Sequence, residues 1–236
     1  MTRVKLSKRL QRLADFVPVG SRIADIGSDH GLLVSHLVLE GIAGMAVAGE
    51  VKPGPFHSTK RQVEEFNLKD QIKVRLGDGL AVIEEPVDIV IIAGMGGTLM
   101  AAILENGKDK LQSVQRLILQ PNTGEIFVRK WLYANQWKII DEEIIKEKKH
   151  YYEIIITEKS DRSNRALSNT EYRVGPINLL KKSLPLLEKW ELELKKQEKV
   201  IKKLKNLPFS IKKLQLLRAA TKEYSGIKQI IGRIGS

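Results

Sequence analysis

The 236 residues suffice for one substantial core and a smaller appendage; with no cysteine and four scattered histidines (His30, His36, His57, His150), a disulfide framework, a zinc–thiolate site and any other metal site are not expected. No stretch approaches the roughly 18 uninterrupted apolar residues of a membrane helix, and no apolar signal region follows the basic start M-T-R-V-K-L-S-K-R-L, so a soluble cytoplasmic protein is expected, monomer favoured. Residues 1–160 carry 22 Lys and Arg against 21 Asp and Glu and residues 161–236 carry 18 against 7, so +11 of the net +12 lies in the last third and points to a polyanion such as nucleic acid, the plain alternative being a solvated lysine-rich helix.

Leu6, Leu10, Leu13 and Val17 fall on one helical face, which Pro18 and Gly20 end. Short strands are expected at 22–25, 45–51, 72–76, 87–93 and 115–120. Helices are expected at 30–40, 53–66, 98–104 and 127–134. V-D-I-V-I-I-A at 87–93 is apolar and β-branched, as a central parallel strand requires. Two strands then follow one another, near 138–145 and 151–157. The alternation implies a doubly wound α/β sheet, and the adjacent pair implies an antiparallel hairpin at one edge. The expected fold is a class I Rossmann-like methyltransferase sheet of seven strands.

S-D-R-S-N-R-A-L-S-N-T reads as a linker or a helix entry. Beyond Gly175-Pro176, Leu180, Leu187, Leu194 and Ile201 repeat every seven residues, with Leu184, Trp190 and Leu204 beside them. N-L-P-F breaks this stripe, and Ile211, Leu214, Leu217, Thr221 and Tyr224 form a second. The expectation is two domains: 1–160 for the cofactor, and 161–236 as a basic helical hairpin, or coiled coil, for RNA.

Five polar or glycine-rich clusters follow successive strands: D-I-G-S-D-H-G, G-E-V, G-D-G, A-G-M-G-G and Q-P-N. In a doubly wound sheet they converge on one crevice. The first loop lacks the full G-x-G-x-x-G of a dinucleotide site, and it is acidic at Asp25 and Asp29. Acid repels a pyrophosphate and suits a cation. S-adenosyl-L-methionine has a sulfonium and an amino group and no phosphate. The expected cofactor residues are Asp25, Gly27, Glu50 for the ribose, Asp78 and Gly79 for the adenine, and Gly94 with Met95 beside the methyl. For Glu50 the plain alternative is a solvated loop acid. Asp29 is either a cap of the following helix or a functional carboxylate. His30 reads as a first-turn residue near the cofactor rather than a base.

D-I-G-S-D-H, A-G-E-V with G-P at 54–55, R-L-G-D-G-L, I-A-G-M-G-G, L-I-L-Q-P-N and Y-Y-E-I occur together in this order. In this combination the chain resembles the bacterial tRNA (adenine(22)-N(1))-methyltransferases of the TrmK family. The resemblance is close over residues 1–160 and one of type over the basic tail. One departure is H-G-L-L, where the family pattern has H-A-Y-L; it removes an aromatic. The resemblance implies methyl transfer from S-adenosyl-L-methionine to N1 of an adenine in the D-arm of tRNA. It makes Asp29 a candidate to stabilise the charged product ring. It makes Asn122 a candidate to orient the base, the alternative being a turn after Pro121. It gives Gly96, Gly97, Gln120 and Pro121 to the substrate. Two other readings stay open: a non-catalytic basic RNA-binding protein with this fold, and a methyltransferase for another substrate.

Overall fold

Seven stretches pair into one sheet, six of them carrying isoleucine, valine or leucine at two or more positions and β2 built mainly of alanine and glycine: β1 (Ser21–Ile26), β2 (Ala43–Glu50), β3 (Ile72–Leu76), β4 (Ile89–Gly96), β5 (Arg116–Thr123), β6 (Trp137–Glu147) and β7 (His150–Lys159). Their order is β3-β2-β1-β4-β5-β7-β6. Neighbours among β1 to β5 run parallel, and β7 lies antiparallel between β5 and β6. This is the expected seven-stranded sheet with its late antiparallel hairpin. The computed structural model describes residues 4–160 and 165–235. They divide into two units, Met1–Ala166 and Leu167–Ser236. Residues 161–164 of the expected linker lie outside the described residues.

The sheet is covered on both faces, so its strands are apolar in both parities. Ile23, Ile89, Ile91, Ile118 and Ile156 pack towards one cluster. It contains Leu13 near the end of α1 (Lys8–Asp15), Leu33 and Leu37 of α2 (Leu32–Leu39) and Val63 of α3 (Pro53–Glu65). Ala24, Val90, Ile92, Leu117 and Ile155 pack towards the other. There they meet Met100 and Leu104 of α4 (Gly97–Asn106) and Val128 and Leu132 of α5 (Glu125–Ala134). Between β3 and β4 the crossover is a single 3-10 turn, Gly79–Val82.

Polar clamps fix the edges. Arg12 of α1 donates to Glu143 of β6 at 2.6 Å. Arg129 of α5 is completely buried, donating through Nε to Glu142 of β6 at 2.7 Å and through Nη2 to Glu153 of β7 at 2.5 Å. A charge so deep persists only with such partners. They tie α5 to the antiparallel hairpin.

In the second unit, α6 (Asn169–Val174) starts on a capping box of Ser168 and Glu171. Next come α7 (Pro176–Lys181), α8 (Leu184–Lys205) and α9 (Ile211–Gly235). Bonds from Gln197 to the Ala220 carbonyl and from Tyr224 to Glu198 link α8 and α9 as an antiparallel pair. Arg173 pairs with Glu223 and lies over the Trp190 ring at 5.5 Å. The heptad reading needs correction. Leu180 is 80% exposed and Leu184 67% exposed, because the helix breaks at Lys182, with φ 46°, ahead of Pro185. Proline cannot supply the N–H that a continuous helix needs. On α9 the buried face is Ala220, Ile227, Ile230 and Ile234, whereas Ile211, Leu214 and Thr221 are exposed.

Arg129→Met leaves Glu142 and Glu153 without their buried cation. Urea denaturation is expected to show a loss of about 3–5 kcal/mol. A change within experimental error would contradict the clamp.

Candidate active site

Because β1, β2, β3, β4 and β5 are parallel, the segments after them emerge along one edge of the sheet. The chain leaves β1 outward to β2 and β3, then returns to β4 on the other side of β1. Ligands bind where the winding reverses in this way.

The β1 side is acidic. Asp25 is buried, and its Oδ2 accepts from Ser28 Oγ at 2.8 Å. Burial pushes its carboxyl up to about 7; Ser28 pulls down against this, the Glu50 charge adds to the rise, and Arg9 opposes it. Glu50, at the end of β2, is also buried, and burial raises its carboxyl above the ordinary range. Its Oε1 accepts both the Asp29 N–H, at 2.7 Å, and the Thr59 hydroxyl, at 3.3 Å. Both bonds fall on the one oxygen. Two buried carboxyls in one crevice, each with its pKa raised by burial, are stabilised by a cation and disfavour a phosphate.

The loop between them is strained. Asp29, His30 and Gly31 all have left-handed backbones, with φ of 42°, 67° and 65°. Side chains at the first two positions are costly there. The bond from Asp29 N–H to Glu50 holds the turn. The cap of α2 is Gly31, with no side-chain capping bond, so Asp29 is not a helix cap. Its carboxylate is exposed, and His30 Nε2 lies 3.7 Å from it. His30 precedes the helix rather than forming its first turn. The departure H-G-L-L also has a local cause. Gly31 suits the left-handed turn, and a Cβ there would come within 2.9 Å of the Thr59 methyl.

The glycines differ in what they are for. A Cβ on Gly27 would fall 2.3 Å from the Met95 terminal methyl, so the cluster after β4 closes directly over the cluster after β1. Gly94 is left-handed and exposed. Gly96 has room around it. Gly97 is buried, and a Cβ there would meet the Gly124 carbonyl oxygen at 2.1 Å. Its glycine is explained by the packing of α4 against the start of α5 rather than by a ligand. Asp78 and Gly79 border a groove of about 340 Å³ with Ile103 and Asn106. Among the described residues no group of three or more His, Asp or Glu could hold a metal ion.

The β5 side is a relay of amides. Arg9 of α1 donates to Gln120 Oε1 at 2.6 Å. Gln120 Nε2 donates to the Pro121 carbonyl at 3.0 Å and to Asn122 Oδ1 at 3.1 Å. Asn122 Nδ2 donates to the Gly94 carbonyl at 2.6 Å. Both ends fix the polarity: the Arg9 guanidinium only donates, so the oxygen of Gln120 must face it, and the Pro121 and Gly94 carbonyls only accept, so the amide nitrogens of Gln120 and Asn122 must face them. Gln120 and Pro121 are buried, and the Gln120 amide nitrogen is engaged within the chain. Asn122 is exposed and keeps one N–H and one lone pair. Arg9 was not legible in the sequence. It lies far from every motif, on a helix whose only visible signal was its apolar face. Its guanidinium also lies over Tyr152, 5.4 Å from the ring centre.

Asp25 titrates near 7 in the folded chain against 3.8 in an unfolded one. Its contribution to stability is therefore complete below about pH 4 and is lost as pH rises through 7. Asp25→Asn lacks this loss. Denaturation near pH 5 and near pH 8 is expected to show the variant gaining on the parent at the higher pH, by about 2–3 kcal/mol. A difference independent of pH would contradict the assignment.

A family model described as TrmK, tRNA (adenine(22)-N(1))-methyltransferase, matches residues 23–226. The tRNA (adenine(22)-N(1))-methyltransferase of Bacillus subtilis (strain 168) is 41% identical over 235 residues, 98% of this chain and 99% of that protein. The crystal structure of the B. subtilis M1A22 tRNA methyltransferase TrmK superposes with a TM-score of 0.87 at 40% identity, covering 97% of this chain and all of that one. A TrmK structure from M. capricolum, in complex with S-adenosyl-homocysteine, has a TM-score of 0.82 at 29% identity, covering 97% and 99%. The sheet, the order of its site-bearing loops and these matches agree: the chain belongs to the TrmK family of tRNA (adenine(22)-N(1))-methyltransferases.

Proposed function

We propose that this chain transfers a methyl group from S-adenosyl-L-methionine to N1 of adenine 22 in tRNA. The first unit holds cofactor and base, and the basic second unit grips tRNA phosphates. A tRNA substrate makes it a cytoplasmic enzyme. The observation that carries the reading is the two-sided crevice, with carboxylates at β1 and β2 and an oriented amide relay at β5. Membership of the TrmK family and relatives solved with S-adenosyl-L-methionine and S-adenosyl-homocysteine support it.

When bound, the cofactor supplies an electrophilic methyl on a cationic sulfur. Asp25 provides negative charge for that cation, and Gly27 keeps the backbone close. Glu50 would hold the ribose hydroxyls, and Asp78 with Gly79 would receive the adenine of the cofactor. The N1 lone pair of the substrate base lies in the ring plane, so positioning matters more than a strong base. N1 is on the Watson–Crick edge, so the adenine must be unpaired to reach it. The free lone pair of Asn122 Oδ1 accepts N6–H. It orients the base and strengthens as N1 alkylation makes the ring positive. The exposed carboxylate of Asp29 adds to that stabilisation. Gln120 and Arg9 act as positioning residues, and Gly94, Met95 and Gly96 leave space for the two planar rings.

Methylation of unmodified tRNA with labelled cofactor, followed by nucleoside analysis, is expected to give 1-methyladenosine; label in another nucleoside would refute the reading. Calorimetric titration separates it from a non-catalytic RNA-binding protein, which would take up no cofactor. Arg9→Met leaves the buried Gln120 Oε1 without its donor, loosens the relay and is expected to lower kcat about 10- to 100-fold. Arg9→Lys, still a pure donor, is expected to recover much of this. An Arg9→Met enzyme with the parent's kcat would contradict the relay. Asp29→Asn and Asp29→Ala should lower kcat by similar factors if the charge is what matters. Parent rates in both would remove Asp29 from the mechanism.

A further inference from the structure

We propose that the tip of the α8–α9 hairpin is a loop-binding element in which Phe209 stacks on an unpaired base of the RNA while the surrounding lysines take its phosphates. This rests on the reading of tRNA as substrate and goes beyond a hairpin that only grips phosphates. Between α8 and α9 the chain reads N-L-P-F-S, and large apolar side chains face solvent there. Phe209 is 80% exposed, Ile211 74% and Leu207 50%. A helix pair that only gripped phosphates has no use for them, and exposed apolar groups of this size mark contact surfaces.

The tip is built to hold its shape. Lys213 donates to the Lys205 carbonyl at 2.9 Å and also to the Leu207 carbonyl, which satisfies the open end of α8. Ser210 caps α9, its Oγ accepting from Lys213 N–H at 3.0 Å. Pro208 fixes the backbone just before Phe209. The ring is thus presented from a braced loop, and ordering it on binding costs little.

Charge selects the partner. Residues 199–222 contain eight lysines and arginines and no aspartate or glutamate. A second copy of this chain would bring the same cations against these, and an apolar protein surface would leave them uncompensated. A nucleic acid loop supplies both needs at once, phosphates for the lysines and a base face for the ring. Stacking on an aromatic side chain is indifferent to which base is offered. Lys213 is committed to the loop, so Lys202, Lys203 and Lys212 are the phosphate-binding candidates.

The experiment measures tRNA binding by the full chain over a range of salt, for the parent, Phe209→Ala, Phe209→Trp and the double variant Lys202→Ala/Lys203→Ala. Phe209→Ala is expected to weaken binding about tenfold while leaving the slope of log K against log salt unchanged, because no phosphate contact is lost. Phe209→Trp should bind as the parent does, and its added fluorescence should be quenched by tRNA. The double lysine variant should flatten the salt slope by about 1 per lysine. Parent-like binding by Phe209→Ala, with the lysine effect intact, would overturn the stacking and leave the phosphate-gripping hairpin standing. Parent-like binding by every variant would overturn both. A parent that sediments as a dimer and a Phe209→Ala variant that sediments as a monomer would show that the tip holds a second copy, and would also overturn the proposal.

Discussion

The site depends on where the sheet reverses. The chain winds outward from β1 through β2 to β3, then crosses back to lay β4 against the free side of β1. That crossover separates the loops after β1 and β4 at the sheet edge. It also puts the two carboxylates on one flank and the ends of β4 and β5 on the other. Without it, Asp25 and Glu50 would face no partner surface, and the amides of Gln120 and Asn122 would face no ligand.

The two flanks are held differently. On the acidic flank, one carboxylate oxygen of Glu50 fixes a left-handed turn through the Asp29 N–H, and the cost of that backbone is met by a charge-assisted bond. On the amide flank, the donor Arg9 at one end and the acceptor carbonyls of Pro121 and Gly94 at the other set the direction of every bond between them. The first arrangement gathers buried carboxyls that suit the cation of the proposed cofactor, and the second a fixed dipole that suits a base gaining charge. Both are in place before any ligand arrives, which is the condition for electrostatic catalysis. α1 reaches the amide flank because Arg12 anchors it on Glu143 of the edge hairpin. The far edge of the sheet therefore bears on the chemistry.

The order of strands and helices was legible because both faces of the sheet are covered, which writes continuous β-branched runs at β4 and β7 and amphipathic runs between. The crevice was legible because the glycines and acids fall at strand ends. What the sequence hid was tertiary. Nothing local distinguishes Arg9 from the other basic residues of its helix, and the buried Arg129 reads as an ordinary surface arginine on α5. Gly97 read as a ligand-lining residue because its real neighbour, Gly124, is 27 positions away. In the hairpin, the seven-residue repeat of leucines runs through Pro185, which stands in the first turn of α8 and marks the start of a new helix. Asp29 looked equally good as a cap, and only the left-handed turn removed that role.

The central claim is that this crevice directs a methyl group to N1 of adenine 22. The most direct measurement is single-turnover transfer into tRNA carrying 1-deazaadenosine at that position, beside the unmodified tRNA. The account predicts that both tRNAs bind alike and that only the one with a nitrogen at position 1 accepts label. Transfer to the deaza tRNA at the parent rate would contradict it.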